Sequence, residues 1–214
     1  MSLKKLTLLA VMSSAAAAAS AAVVTQSSPQ VMELTEINQT HTLQQFDASL
    51  GTLNSVTITL DGRVLSSASL LNEAAQTQIF GFVSTENFFL TGPGSIFQTF
   101  DAPLFNYGPS PIAGGQRVDL GAQDISNTLT FTAADLGSFI GGGTVDFLCT
   151  TAISNTQTGG GGNILIEQST TAGCGLNVVY DYTADTPVEV PEPGSLALLG
   201  VAALGLVAVR RRRS

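Results

Sequence analysis

The sequence holds no tryptophan, one histidine and only two cysteines. Between residues 23 and 192 it has no lysine either: Arg63 and Arg117 are the only cations there, set against all 16 carboxylates, for a net charge of −14. Each shortage closes off a class of function. A surface this poor in positive charge repels phosphate backbones, which excludes nucleic acid as a partner. Two cysteines and one histidine fall short of a zinc centre. A Ser-His-Asp triad would have to use His41, in QTHTLQQF, yet no G-x-S-x-G elbow occurs, and Ser95 in GPGSI stands in the wrong place for one. His41 is therefore expected as a solvated residue at a strand edge.

With only Tyr107, Tyr180 and Tyr182 beside the missing tryptophans, the chain lacks the aromatic platforms usual in glycosidase clefts and carbohydrate-binding modules. Nothing singles out one pair of carboxylates for glycoside hydrolysis. Asp119 and Asp124 lie close in sequence, as do Asp181 and Asp185, but no D-x-D-x-D-G loop is present. The expectation is a chain with no catalytic residue, no metal and no cofactor.

Long apolar runs are also missing. The longest uncharged apolar stretch, Leu196 to Val209, has fourteen residues. As a helix it covers about 21 Å, against about 30 Å of bilayer core. It is apolar on every face and is followed by Arg210, Arg211, Arg212 and Arg213, which the positive-inside preference holds on the cytoplasmic side. That pattern reads as a brief membrane anchor at 195–209 with a basic tail at 210–214. At the other end, Lys4 and Lys5 precede an apolar stretch from Leu6 and small residues at Ala19-Ser20-Ala21. This is the three-part pattern of a secretory signal peptide over 1–22, cleaved near Ala21 or Ala22.

Before the apolar tail, in a linker at 187–194, stand Pro191, Glu192 and Pro193. Prolines on both sides of Glu192 hold the peptide extended, the form a protease cleft accepts. Pro-Glu-Pro, apolar run and terminal arginines, in that order, resemble the PEP-CTERM sorting signal. The resemblance covers about the last 25 residues. It implies export, transient anchoring in the inner membrane, cleavage near Pro-Glu-Pro by an exosortase, and release to the surface or matrix of a Gram-negative bacterium that makes exopolysaccharide. Exosortase, the membrane and exopolysaccharide are then the expected partners.

The body, 23–186, is long enough for one domain with its own core. Eleven phenylalanines and many Val, Ile and Leu supply apolar material, while Thr, Ser, Asn and Gln outnumber charged residues. SVTITL at 55–60 alternates Val56, Ile58 and Leu60 against hydroxyls, a strand pattern. Asp61-Gly62 reads as a hairpin turn into a second run at 63–71. Further strands are expected at 77–83, 86–92, 127–133, 143–153, 163–170 and 175–184. The expected turns are GPG at 92–94, GPSP at 108–111, GGG at 141–143 and GGGG at 159–162. A helical turn or two is expected at 133–141. Short strands spaced by turns predict an all-β antiparallel sandwich, flanked by the signal peptide and the sorting helix.

FDASLGTLNSVTITLDG (46–62), AADLGSFIGGGTVDF (133–147) and NVVYDYTAD (177–185) resemble the choice-of-anchor E domain. This resemblance implies a β-rich surface domain and carries no catalytic residue across. Cys149 shares strand parity with Val145 and Phe147, and Cys174 with Leu176, Val178, Tyr180 and Tyr182. Both thiols should face the core and pair across neighbouring strands, as two cysteines in an oxidising compartment do. The resulting expectation is a non-enzymatic structural or adhesive surface protein. A glycan-binding module is the second reading and an unrecognised glycan-active enzyme the third.

Overall fold

The computed structural model describes residues 21–185. The expected signal peptide, apart from Ala21 and Ala22, lies outside them, as do the Pro-Glu-Pro linker, the 195–209 segment and the basic tail. Among these described residues, nine strands form two antiparallel sheets. The first has the order β1 (Ala21–Ser28), β9 (Ile164–Ala184), β4 (Gly51–Asn72), β7 (Arg117–Thr132), with β2 (Glu33–Leu34) also pairing with β9. The second runs β3 (Asn38–Gln44), β8 (Thr144–Gly159), β5 (Gln78–Gly92), β6 (Ile96–Ile112). The expected all-β sandwich class holds for the body.

Alternation decides which face of each strand is buried. On β4, Val56, Ile58, Leu60, Val64, Ala68 and Leu70 all lie in the core. Ala172, Cys174, Leu176, Val178 and Tyr180 do the same on β9, and Phe80, Phe82, Phe88 and Leu90 on β5. Burying one such side chain contributes about 1.5–3 kcal/mol, so these rows dominate folding. Tyr180 packs tilted against Phe46 and edge-on against Phe139, at 6.0 and 6.4 Å between ring centres, and its hydroxyl donates to Gln44 O at 2.9 Å. Burial pushes that phenol up to about 12.

Several expected boundaries fall inside strands. Asp61-Gly62 is not a hairpin turn: β4 runs straight through it, pairing Gly62 with Asn127 on one side and Cys174 on the other. The reason is inter-sheet packing. A Cβ on Gly62 would stand 2.2 Å from Phe100 Cζ, under a Phe88–Phe100 stack with 4.5 Å between ring centres. Asp61 points outward and accepts the Thr128 hydroxyl at 2.6 Å. The runs at 55–60 and 63–71 are thus one strand, and those at 77–83 and 86–92 are both within β5. GPSP at 108–111 lies within β6. As an edge strand β6 pairs only with β5, so Pro103, Pro109 and Pro111 can occupy it without removing an inner ladder bond. The 133–141 segment yields one 3-10 turn, Gly137–Phe139. GPG and GGGG are turns as expected, with Gly94 and Gly159 to Gly162 at positive φ.

Cys149 and Cys174 are bonded, fully buried, with Cα atoms 6.5 Å apart. The parity reading holds, but the bridge differs from expectation in one respect. It joins β8 of one sheet to β9 of the other, because the glycine turn between these strands crosses from sheet to sheet. The loop it closes spans a sequence separation of 25 residues. Cys149→Ser should therefore cost about 3 kcal/mol and lower the melting temperature without abolishing the fold. Thermal denaturation followed by far-ultraviolet circular dichroism measures this; an unchanged midpoint would contradict it.

Candidate functional site

The sorting residues Pro191, Glu192, Pro193 and Arg210, Arg211, Arg212, Arg213 lie outside the described residues. Within the body, the paired aspartates do not converge. Asp124 holds Arg63 through two bonds of 2.9 and 2.8 Å, Asp119 accepts the Gly121 amide at 2.8 Å, and Asp181 accepts the Asn54 amide at 3.1 Å. Among the described residues no group of three or more His, Cys, Asp or Glu is placed to hold a metal.

His41 departs from expectation. It is on β3, an edge strand, but only 5% of it is exposed, because β1 lies alongside and Ser28 closes over the ring. Its Nδ1 sits 2.8 Å from Ser28 Oγ, while Nε2 is buried without a partner. Burial lowers its pKa and so favours the neutral ring. A serine beside a histidine is one element of acyl-transfer chemistry, but no carboxylate here orients the second ring nitrogen.

The larger polar feature lies between the sheets, and the sequence analysis missed it. Ser66 of β4 and Thr170 of β9 are 2.7 Å apart, oxygen to oxygen. The Gln168 amide of β9 donates to Ser84 of β5 at 3.0 Å, and to Thr170 and Ser66 at 3.3 and 3.4 Å. Two residues along the same inward face of β5 is Glu86, fully buried, with both carboxylate oxygens unpartnered. The sequence does carry a signal. In ENFFL, Glu86 shares parity with Phe88 and Leu90, so a strand that buries the apolar pair must bury the acid too.

Burial pushes the Glu86 carboxyl above the usual range; the nearby Thr151 hydroxyl, which makes no well-formed hydrogen bond to it, opposes the rise and the Glu36 charge adds to it. The folded chain therefore keeps this proton at pH values where the unfolded chain has released it. The stability tied to the proton is complete below the ordinary value of 4.5 and is lost as pH rises through the raised folded value. Glu86→Gln should remove that loss, gaining on the order of 1–2 kcal/mol at neutral to mildly alkaline pH and nothing near pH 4. Urea denaturation across pH checks this. A gain of equal size at every pH would contradict the assignment.

The outward face of the first sheet carries both arginines of the body. Arg63 pairs with Asp124, and Arg117 with Glu167 and Ser69. Each arginine draws its carboxylate partner below the usual range. Between the pairs lies a shallow depression with Ser67 and Ser169 across its floor and Leu65 and Ala122 at one end. Hydroxyls, fixed charges and a little aliphatic surface equip it for hydrogen bonding to polar ligands.

A β-sandwich body followed by an apolar, arginine-ended tail defines an exported domain with its own sorting signal. That signal is the PEP-CTERM protein-sorting motif, whose family model matches residues 189–213. The protein is thus an exosortase-sorted exported protein, membrane-anchored before cleavage. The match covers the tail alone and lends no support to the choice-of-anchor E resemblance of the body. No curated protein matches the chain. Among solved structures, it is similar to a chain of the T13 particle of infectious bursal disease virus, at 10% identity and a TM-score of 0.22, over 90% of this chain and 47% of that one. The Gx strain of that virus gives 10% identity and 0.20, over 78% and 37%. The chain spans less than half the length of either, and scores this low carry no argument. Among the described residues no helix is long and apolar enough to cross a membrane.

Proposed function

We propose that the protein is a non-enzymatic structural or adhesive component of the cell surface or extracellular matrix, associated with exopolysaccharide. The sorting motif at 189–213 supports this reading, since a motif of this kind marks an exported chain for anchoring and then cleavage at the membrane. The body suits that destination. Its sheets turn hydroxyl and amide side chains outward, an inter-sheet disulfide ties it, and fourteen carboxylates favour its solubility. The choice-of-anchor E resemblance points the same way. A second reading, a glycan-binding module, draws on the depression between the two arginine pairs, where a sugar would meet hydroxyls, fixed charges and the aliphatic end at Leu65 and Ala122.

Deletion of the protein in its host, scored for biofilm mass and polysaccharide retention, tests the matrix role; an unchanged biofilm would count against it. Sorting has its own test. Replacing Pro191, Glu192 and Pro193 with alanine should leave export intact and trap the chain at the inner membrane with its tail attached. Mass spectrometry of the released fraction decides: a variant released with the wild-type C-terminus would contradict exosortase processing.

A further inference from the structure

We infer that the outer edge of β8 beyond Thr150 is a self-association surface, which pairs antiparallel with the same edge of a second copy of this chain. β3 covers β8 only along Thr144 to Thr150, so from Thr151 to Gly159 the strand pairs with β5 on one side alone. Among the described residues the other side holds one backbone bond, from the Thr151 amide to Ile37 O at 3.3 Å. At about 3.3 Å per residue the open edge is roughly 30 Å long, a row of backbone donors and acceptors awaiting a strand.

Other edges are guarded. β7 carries Arg117, Asp119 and Asp124, and β6 carries Asp101 and three prolines. β1 is uncharged, but β3 lies beside it and His41 binds Ser28. By contrast, no residue from Phe147 to Ile166 is charged, and none from Thr151 to Gly159 is proline. In a body with a net charge of −12, two copies repel each other least where this stretch meets itself. Ser154 to Gly159 are exposed on both faces of the strand, so a partner strand meets no covering side chains. The sequence TAISNTQTG also suits self-pairing. A two-fold axis at Asn155 sets Ser154 opposite Thr156 of the second copy, joining small hydrogen-bonding side chains across the strands. A contact between two strands is smaller than a standard interface, so the association depends on concentration and is favoured by crowding on a surface.

Sedimentation of the full exported chain over a range of concentrations tests this. The wild type should shift from monomer to dimer as concentration rises. Ser154→Lys with Thr156→Lys sets like charges opposite each other and should abolish the shift. Ser154→Lys with Thr156→Glu sets opposite charges together and should restore it. Wild type that stays monomeric to its solubility limit overturns the inference. So does a Lys/Lys variant that dimerises like wild type, or a Lys/Glu variant no better than Lys/Lys. Circular dichroism and the absence of free thiol establish that each variant is folded. Biofilm phenotype is a separate readout, so failure here leaves the matrix role standing.

Discussion

The pairing of β4 with β9 organises the body. Gly51 to Asn72 run antiparallel to Ile164 to Ala184 with a single irregularity, between Leu53 and Ser55. β7 adds to the free side of β4, and β1 and β2 add to the free side of β9. The second sheet is fixed against this ladder by the Phe88–Phe100 stack over Gly62, by the Cys149–Cys174 bond and by the Gln168 amide reaching Ser84. Strand pairs so distant in sequence are slow to form, and the inter-sheet bond keeps them together once made.

The sequence was most legible where alternation is strict. Val56, Ile58 and Leu60 gave both the strand and its buried face, and the same parity placed Cys149 and Cys174 in the core. It was least legible where a local signal has a tertiary use. Asp-Gly is the strongest short hairpin signal, yet Gly62 is there because a ring from the opposite sheet leaves no room for a side chain. Pro109 and Pro111 read as turn residues because nothing local distinguishes a turn from an outer edge strand. His41 looked solvated because the strand that covers it, β1, begins at the expected cleavage point and was not recognised. Glu86 was passed over because an acid in a strand is presumed to face water, although its parity with Phe88 said otherwise.

Destination and body are written in different parts of the chain and by different physics. The tail is written as paired prolines, an apolar run and clustered arginines, all of which can be read without a fold. The body presents features that only the register reveals: two arginine–carboxylate pairs on one face, a strand edge without charge, and a buried acid beside an inter-sheet cluster of hydroxyls and an amide. The buried acid makes stability depend on pH, while the uncharged edge is the surface through which copies are proposed to meet.

Residue-resolved amide hydrogen exchange on the exported protein tests the central claim, that one β4–β9 ladder, continuous from Ser55 to Asn72, carries the fold. The account predicts the slowest exchange in a continuous block along β4 through Asp61 and Gly62, matched along β9 from Ala172 to Tyr180, with the β8 edge at 154–159 far faster. Fast exchange at Asp61 and Gly62, with protection falling into two separate strands on either side, would mean a hairpin there and would contradict the account.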